Sequence, residues 1–81
     1  MTYPGSVREL VKLFVDSCSR VLIYKRDMEP ALEFDGADAD RYINDTTLEL
    51  MDLRVCSYMI LDPAIYVPRT IVIVCERPFG W

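Results

Sequence analysis

Residues 70–75, Thr-Ile-Val-Ile-Val-Cys, carry the reading that decides the fold. The run is β-branched, and its apolar residues fall on both sides of an extended chain, so as a strand it has no wet face. A strand of that kind lies in the middle of a sheet or at the seam of a dimer. It stands near the end of an 81-residue chain, where polar residues are the rule. Beyond it come Glu76 and then Arg77-Pro78-Phe79-Gly80-Trp81, which is free to be a tail.

On its other side, Pro63 and Pro68 bracket Ala64-Ile65-Tyr66-Val67, an irregular or edge segment. Residues 46–61, "TTLELMDLRVCSYMIL", fit two templates. As a strand they alternate through Leu48 and Leu50, slip by one, and resume at Met51, Leu53 and Val55, which is what a β-bulge does. As a helix, Leu48, Met51, Val55 and Met59 share a face, but Leu50 and Leu53 point to water. The strand is the better fit.

The N-terminal part reads differently. Ser6 and Glu9 have the S-x-x-E spacing of a capping box, in which Ser6 accepts from the Glu9 backbone N–H and Glu9 reaches back. From there Val7, Leu10, Val11, Phe14, Cys18, Val21 and Leu22 form one stripe about 120° wide at helical spacing. Arg8, Glu9, Lys12, Asp16, Ser19 and Arg20 lie outside it, and Asp16 with Arg20 makes an i,i+4 pair. Ile23 and Lys25 break the helical pattern, so "RVLIYKR" reads as a strand from about Val21. A hairpin connection at Met28-Glu29-Pro30 leads to a second strand, in which Leu32 and Phe34 alternate with Glu33 and Asp35 and Gly36 marks the end. Residues 37–45 form a loop or a single helical turn.

Together these expectations give an α+β fold: an N-terminal amphipathic helix packed on a small, mostly antiparallel sheet of three to four strands, in one domain covering residues 1–81. The chain is short and 52% apolar. A body of that size buries a thin core and has more apolar surface than it can hide, which favours self-association. No run is long enough to span a membrane and no targeting segment is evident, so the expected setting is cytoplasmic. Cys18, Cys56 and Cys75 are odd in number and each lies in an apolar stretch, where a free thiol acts as a small hydrophobe. A Cys18–Cys56 or Cys56–Cys75 bridge stays open.

Charge is unevenly placed. Residues 1–26 carry five basic and two acidic groups, while residues 27–45 carry seven acids against Arg41 alone. Such asymmetry creates a field that steers partners. Residues 27–45, with Asp35, Asp38, Asp40 and Asp45 as the candidate contacts, form either an acidic docking loop for a basic surface or a solvated loop kept polar for solubility. The docking version makes the chain a small acidic inhibitor, of viral or mobile-element type, that occupies a nucleic-acid-binding surface. Direct nucleic-acid binding is not expected, because the basic N-terminal part is only +3. "DGADAD" does not match a calcium loop: counted from Asp38, the fifth and sixth positions are Tyr42 and Ile43. No metal site and no cofactor are expected.

Phe79 and Trp81 are aromatic anchors of the type that dominates interfaces. They serve a partner, a second copy, or the domain's own core. Catalysis finds little footing. There is no histidine, and the glycines at 5, 36 and 80 build no phosphate loop. Only Cys75, two residues from Arg77, or the clustered carboxylates could serve an enzyme. The expected function is a non-catalytic protein-binding or regulatory module, a homodimer that buries its C-terminal strand and aromatic tail, with no membrane or small-molecule partner.

Overall fold

A computed structural model describes residues 1–76. The Ser6 hydroxyl caps helix α1 (Val7–Phe14), accepting from the Glu9 N–H at 3.3 Å. Val7, Leu10 and Val11 on its inner face are completely buried. The helix stops at Phe14, earlier than the apolar stripe extends. Ser17 and Cys18 both donate their N–H groups to the Phe14 carbonyl, and the chain straightens into β1 (Arg20–Lys25). Asp16 and Arg20 are therefore not a helical pair. Arg20 instead forms an ion pair across two strands with Glu33.

β1 turns back into β2 (Pro30–Asp35) through residues 26–29, and the two pair antiparallel from Arg20↔Asp35 to Tyr24↔Pro30 with one irregularity at Ile23/Tyr24. Gly36 follows at a point of close approach. Its N–H donates to the Ser19 carbonyl at 2.8 Å, and a Cβ there would stand 2.9 Å from the Cys18 carbonyl oxygen. A 3-10 turn (Gly36–Asp38) then runs into the short helix α2 (Ala39–Ile43), so the segment expected as a loop or single helical turn is helical through two short pieces.

Residues 46–61 depart from the continuous strand expected of them. Glu49–Asp52 is a 3-10 turn, and only then does β3 (Val55–Leu61) begin. The turn reconciles a pattern that alternation could not. It buries Met51 completely and packs Leu48, Leu50 and Leu53 against the core from one short stretch. The bulge lies at Cys56, between Val55 and Ser57, and not at Leu50/Met51.

β4 (Thr70–Cys75) is an interior strand, as its two apolar faces require. The sheet order is β2-β1-β4-β3. β4 pairs antiparallel with β3 and parallel with β1, in the register Val21↔Ile71 and Ile23↔Ile73. Two of the three pairings are antiparallel, and the molecule is α+β with a small sheet.

Alternation then sorts the core. Val21, Ile23, Phe34, Ile71, Ile73 and Cys75 share the face covered by α1, α2 and the 3-10 turn, where they join Leu10, Val11, Ala39, Ile43 and Met51 in one buried cluster. Arg8, which the helical stripe leaves on the wet side, fastens this cover. Its side chain is only 17% exposed. It donates to the Ile43 carbonyl at 2.7 Å and the Asp45 carbonyl at 2.9 Å, and pairs with the Asp52 carboxylate. One guanidinium thus ties α1 to the C-terminal end of α2, where a cation is favoured, and to the 3-10 turn.

Candidate functional site

The second face of the sheet is assembled from the alternate residues of the same strands. Leu22 and Tyr24 of β1, Val72 and Val74 of β4, and Met59 and Leu61 of β3 are brought side by side by the register Leu22↔Val72, Tyr24↔Val74 and Met59↔Val72. None of the six belongs to the buried cluster or packs against it. Met59 is 54% exposed and Leu61 43%, and the other four stay partly exposed. Among the described residues no helix lies over this face. Its rim is polar, with the Arg20–Glu33 pair on the β1–β2 side and Ser57 on β3. Thr70, at the end of the face, is buried and donates its hydroxyl to the Pro68 carbonyl at 2.9 Å.

Neither edge of the sheet matches the openness of this face. Along β3, Tyr58 exchanges bonds with Met1, donating at 2.8 Å and accepting from the terminal ammonium at 3.1 Å, and Val55 donates to Gly5 at 3.2 Å. Residues 1–6 therefore occupy that edge. β2 begins with Pro30, which has no N–H to give, and carries exposed Glu33 and Asp35. Proline and charge on an edge discourage further strand pairing.

The acidic residues are divided by the fold. Asp35, Asp38 and Asp40 are exposed, at the end of β2 and the start of α2, and are in no ion pair among the described residues. Asp45 is employed locally. Its carboxylate accepts from the Thr47 hydroxyl at 2.5 Å and the Thr47 N–H at 2.9 Å. Those two bonds, with Arg8 and Arg41 nearby, hold its carboxyl below the usual carboxylate range. It braces the loop after α2 and is only partly exposed, unlike the other three. Among the described residues no group of three or more Cys, Asp or Glu stands close enough to hold a metal ion.

Cys18, Cys56 and Cys75 are all free thiols. Burial pushes the Cys75 thiol up, away from the thiolate that nucleophilic chemistry needs. Phe79 and Trp81 lie outside the described residues. Sequence reasoning missed the open face itself, although its signal was present: "TIVIVC" is apolar at odd and even positions alike, and a sequence that offers a single amphipathic helix has cover for only one side. No helix of the described residues is long and apolar enough to cross a membrane. No protein-family model, curated protein or solved structure matches the chain.

Proposed function

We propose that the chain is a non-catalytic protein-binding module that associates with a second copy of itself through the open face of its sheet. The observation that carries this reading is the block formed by Leu22, Tyr24, Val72, Val74, Met59 and Leu61, apolar at its centre and polar at its rim. That is the anatomy of an association surface, and contiguous apolar patches on small soluble bodies mark such surfaces. The occupied β3 edge and the proline-led, charged β2 edge favour stacking of faces over strand addition. The C-terminal strand takes part through its outer side chains and not through its backbone, which both neighbours already use. A reducing, cytoplasmic setting belongs to the same proposal and is supported by three free thiols.

Sedimentation equilibrium on the native chain and on Val72→Lys/Val74→Lys tests it. The native chain is expected to dimerise. The double variant is expected to be a folded monomer with unchanged far-ultraviolet dichroism. A native chain that stays monomeric up to its solubility limit sinks the proposal.

A second reading, the acidic inhibitor of a basic nucleic-acid-binding surface, draws support from Asp35, Asp38 and Asp40, which are exposed close together in sequence and without an ion partner among the described residues. It predicts that Asp38→Lys/Asp40→Lys abolishes partner binding and its salt dependence. If both persist in that variant, the inhibitor reading is dead.

A further inference from the structure

The connection between β3 and β4 puts its largest side chains where the fold has no use for them. Residues 61–69 are all exposed. Ile65 is 81% exposed and Tyr66 fully so, and neither packs against the core. Yet the segment is built rigidly. Ala64 and Val67 exchange backbone bonds of 2.9 and 3.0 Å, closing a two-residue tip. Pro63 and Pro68 fix φ on either flank. At the tip φ is negative for Ile65 and +69° for Tyr66, the sign pattern of a type II turn, whose third position calls for Gly or Asn. A tyrosine held in the left-handed region is strained. The turn would form more easily without it.

What the strain obtains is a preorganised, fully presented aromatic beside an exposed isoleucine. An anchor that is ordered before docking loses little further entropy on docking, and tyrosine is among the residues that dominate interfaces. Resting on the self-association proposed above, we infer that the Ile65–Tyr66 turn is a dimerisation arm, laid by each copy across the open face of the other.

The size of the face argues for this occupant. Four strands about 4.8 Å apart and six residues long at about 3.3 Å per residue give a flat footprint of about 400 Å², and its β2 quarter is charged. A stable interface buries about 800 Å² on each partner. An exposed tyrosine supplies a further ~150–250 Å², and Ile65 adds to it. Arm and face sit on the same chain, so two copies satisfy each other and the contact closes by a twofold axis. The arm leaves the sheet at the Leu61/Thr70 end. With the axis lying in the interface and across the strands, it meets the opposite end of the partner's face, where Tyr24 and Val74 pair.

The test uses the full chain, native and with Tyr66→Asn, a residue that suits the left-handed region. Sedimentation equilibrium is expected to show dimer affinity at least tenfold weaker in the variant. Its thermal midpoint, measured dilute enough to be monomeric, is expected to match or exceed the native value because the strain is gone. A variant that dimerises as tightly as the native chain overturns the arm. If Val72→Lys/Val74→Lys still dissociates the dimer in that case, the face reading stands without it. A lower midpoint in the dilute variant also overturns the arm, since Tyr66 would then be a residue of the fold. A native chain that never dimerises removes both ideas at once.

Discussion

Val21, Ile23, Ile71 and Ile73 are no more than 1% exposed, whereas Leu22, Tyr24, Val72 and Val74, one position along in the same two strands, remain partly exposed. The chemistry of the two sets is nearly the same. The difference lies in what covers them: α1, α2 and the 3-10 turn pack on the first set, and none of these packs on the second. Period-two alternation says which residues share a face, but it does not say which face receives a helix. The excess of apolar residues in this chain is therefore not spread evenly over its surface. Its largest contiguous block lies on one side of a sheet, its most exposed members sit on the β3–β4 turn, and Leu13 of α1 and Met28 of the β1–β2 turn stand exposed singly.

The strongest way to break this comparison is to truncate one residue from each set. Ile73→Ala opens a cavity under α1 and is expected to cost about 2–5 kcal/mol, enough to threaten a domain this small. Val72→Ala removes a side chain with no cover and is expected to cost less than about 1 kcal/mol in the monomer. Urea denaturation reads both, at a protein concentration low enough that dissociation does not contribute to the transition. Equal midpoints for the two variants would mean the faces do not differ in the way described.

A second prediction loosens the cover instead of the core. Arg8→Met keeps the aliphatic stem but leaves the Ile43 carbonyl without its donor and the Asp45 carbonyl with only the long bond from the Leu48 N–H at 3.4 Å, and an unsatisfied partly buried acceptor costs about 1–3 kcal/mol. Arg8→Lys should recover only part of this, since one ammonium does not span three acceptors on separate segments. Full recovery by lysine would reduce the clamp to a charge effect.

Much of the covered face was legible from residue pattern alone. Ser6 announced the helix start, and the alternation of Leu32 and Phe34 with Glu33 and Asp35 gave β2. The two-sided apolar run 70–75 put β4 inside the sheet. The helix end was not legible, because Cys18, Val21 and Leu22 fall on the helical stripe by coincidence while belonging to a turn and a strand. Arg8 was not legible either. A charged residue outside the stripe reads as solvated, and only the fold reveals that α2 ends against it. The segment 46–54 hid a 3-10 turn because four apolar residues at uneven spacing satisfy no regular period. Of the acidic quartet, the sequence pattern gave no way to see that Asp45 would be claimed by Thr47, two residues away.

The thiols sharpen the comparison by chemistry rather than stability. Cys75 belongs to the covered face and is fully buried, while Cys56 sits partly exposed in the β3 bulge. Burial also raises the Cys75 thiol, so it is less often the reactive thiolate. Under native conditions iodoacetamide is expected to modify Cys56 at least tenfold faster than Cys75, with peptide mass mapping as the readout. Comparable rates would show that the cover over the inner face opens readily.

The smallest effect concerns how the cover responds to acid. Asp45 holds its turn as a carboxylate bonded to the Thr47 hydroxyl and N–H, and these bonds lower its folded pKa below the ordinary aspartate value of about 3.9. A lowered folded pKa means that the unfolded chain binds the proton first. The stabilisation is therefore fully present above about pH 4 and is lost as pH falls through the folded value. Asp45→Asn keeps an acceptor for Thr47 but has no proton to gain in that range. Its urea midpoint, followed from neutral pH downward, should lie slightly below the native one at pH 7 and converge with it in acid. Parallel curves at all pH values would show that the charge on Asp45 contributes nothing to the loop that Arg8 fastens, leaving the guanidinium and its carbonyl partners to hold the cover alone.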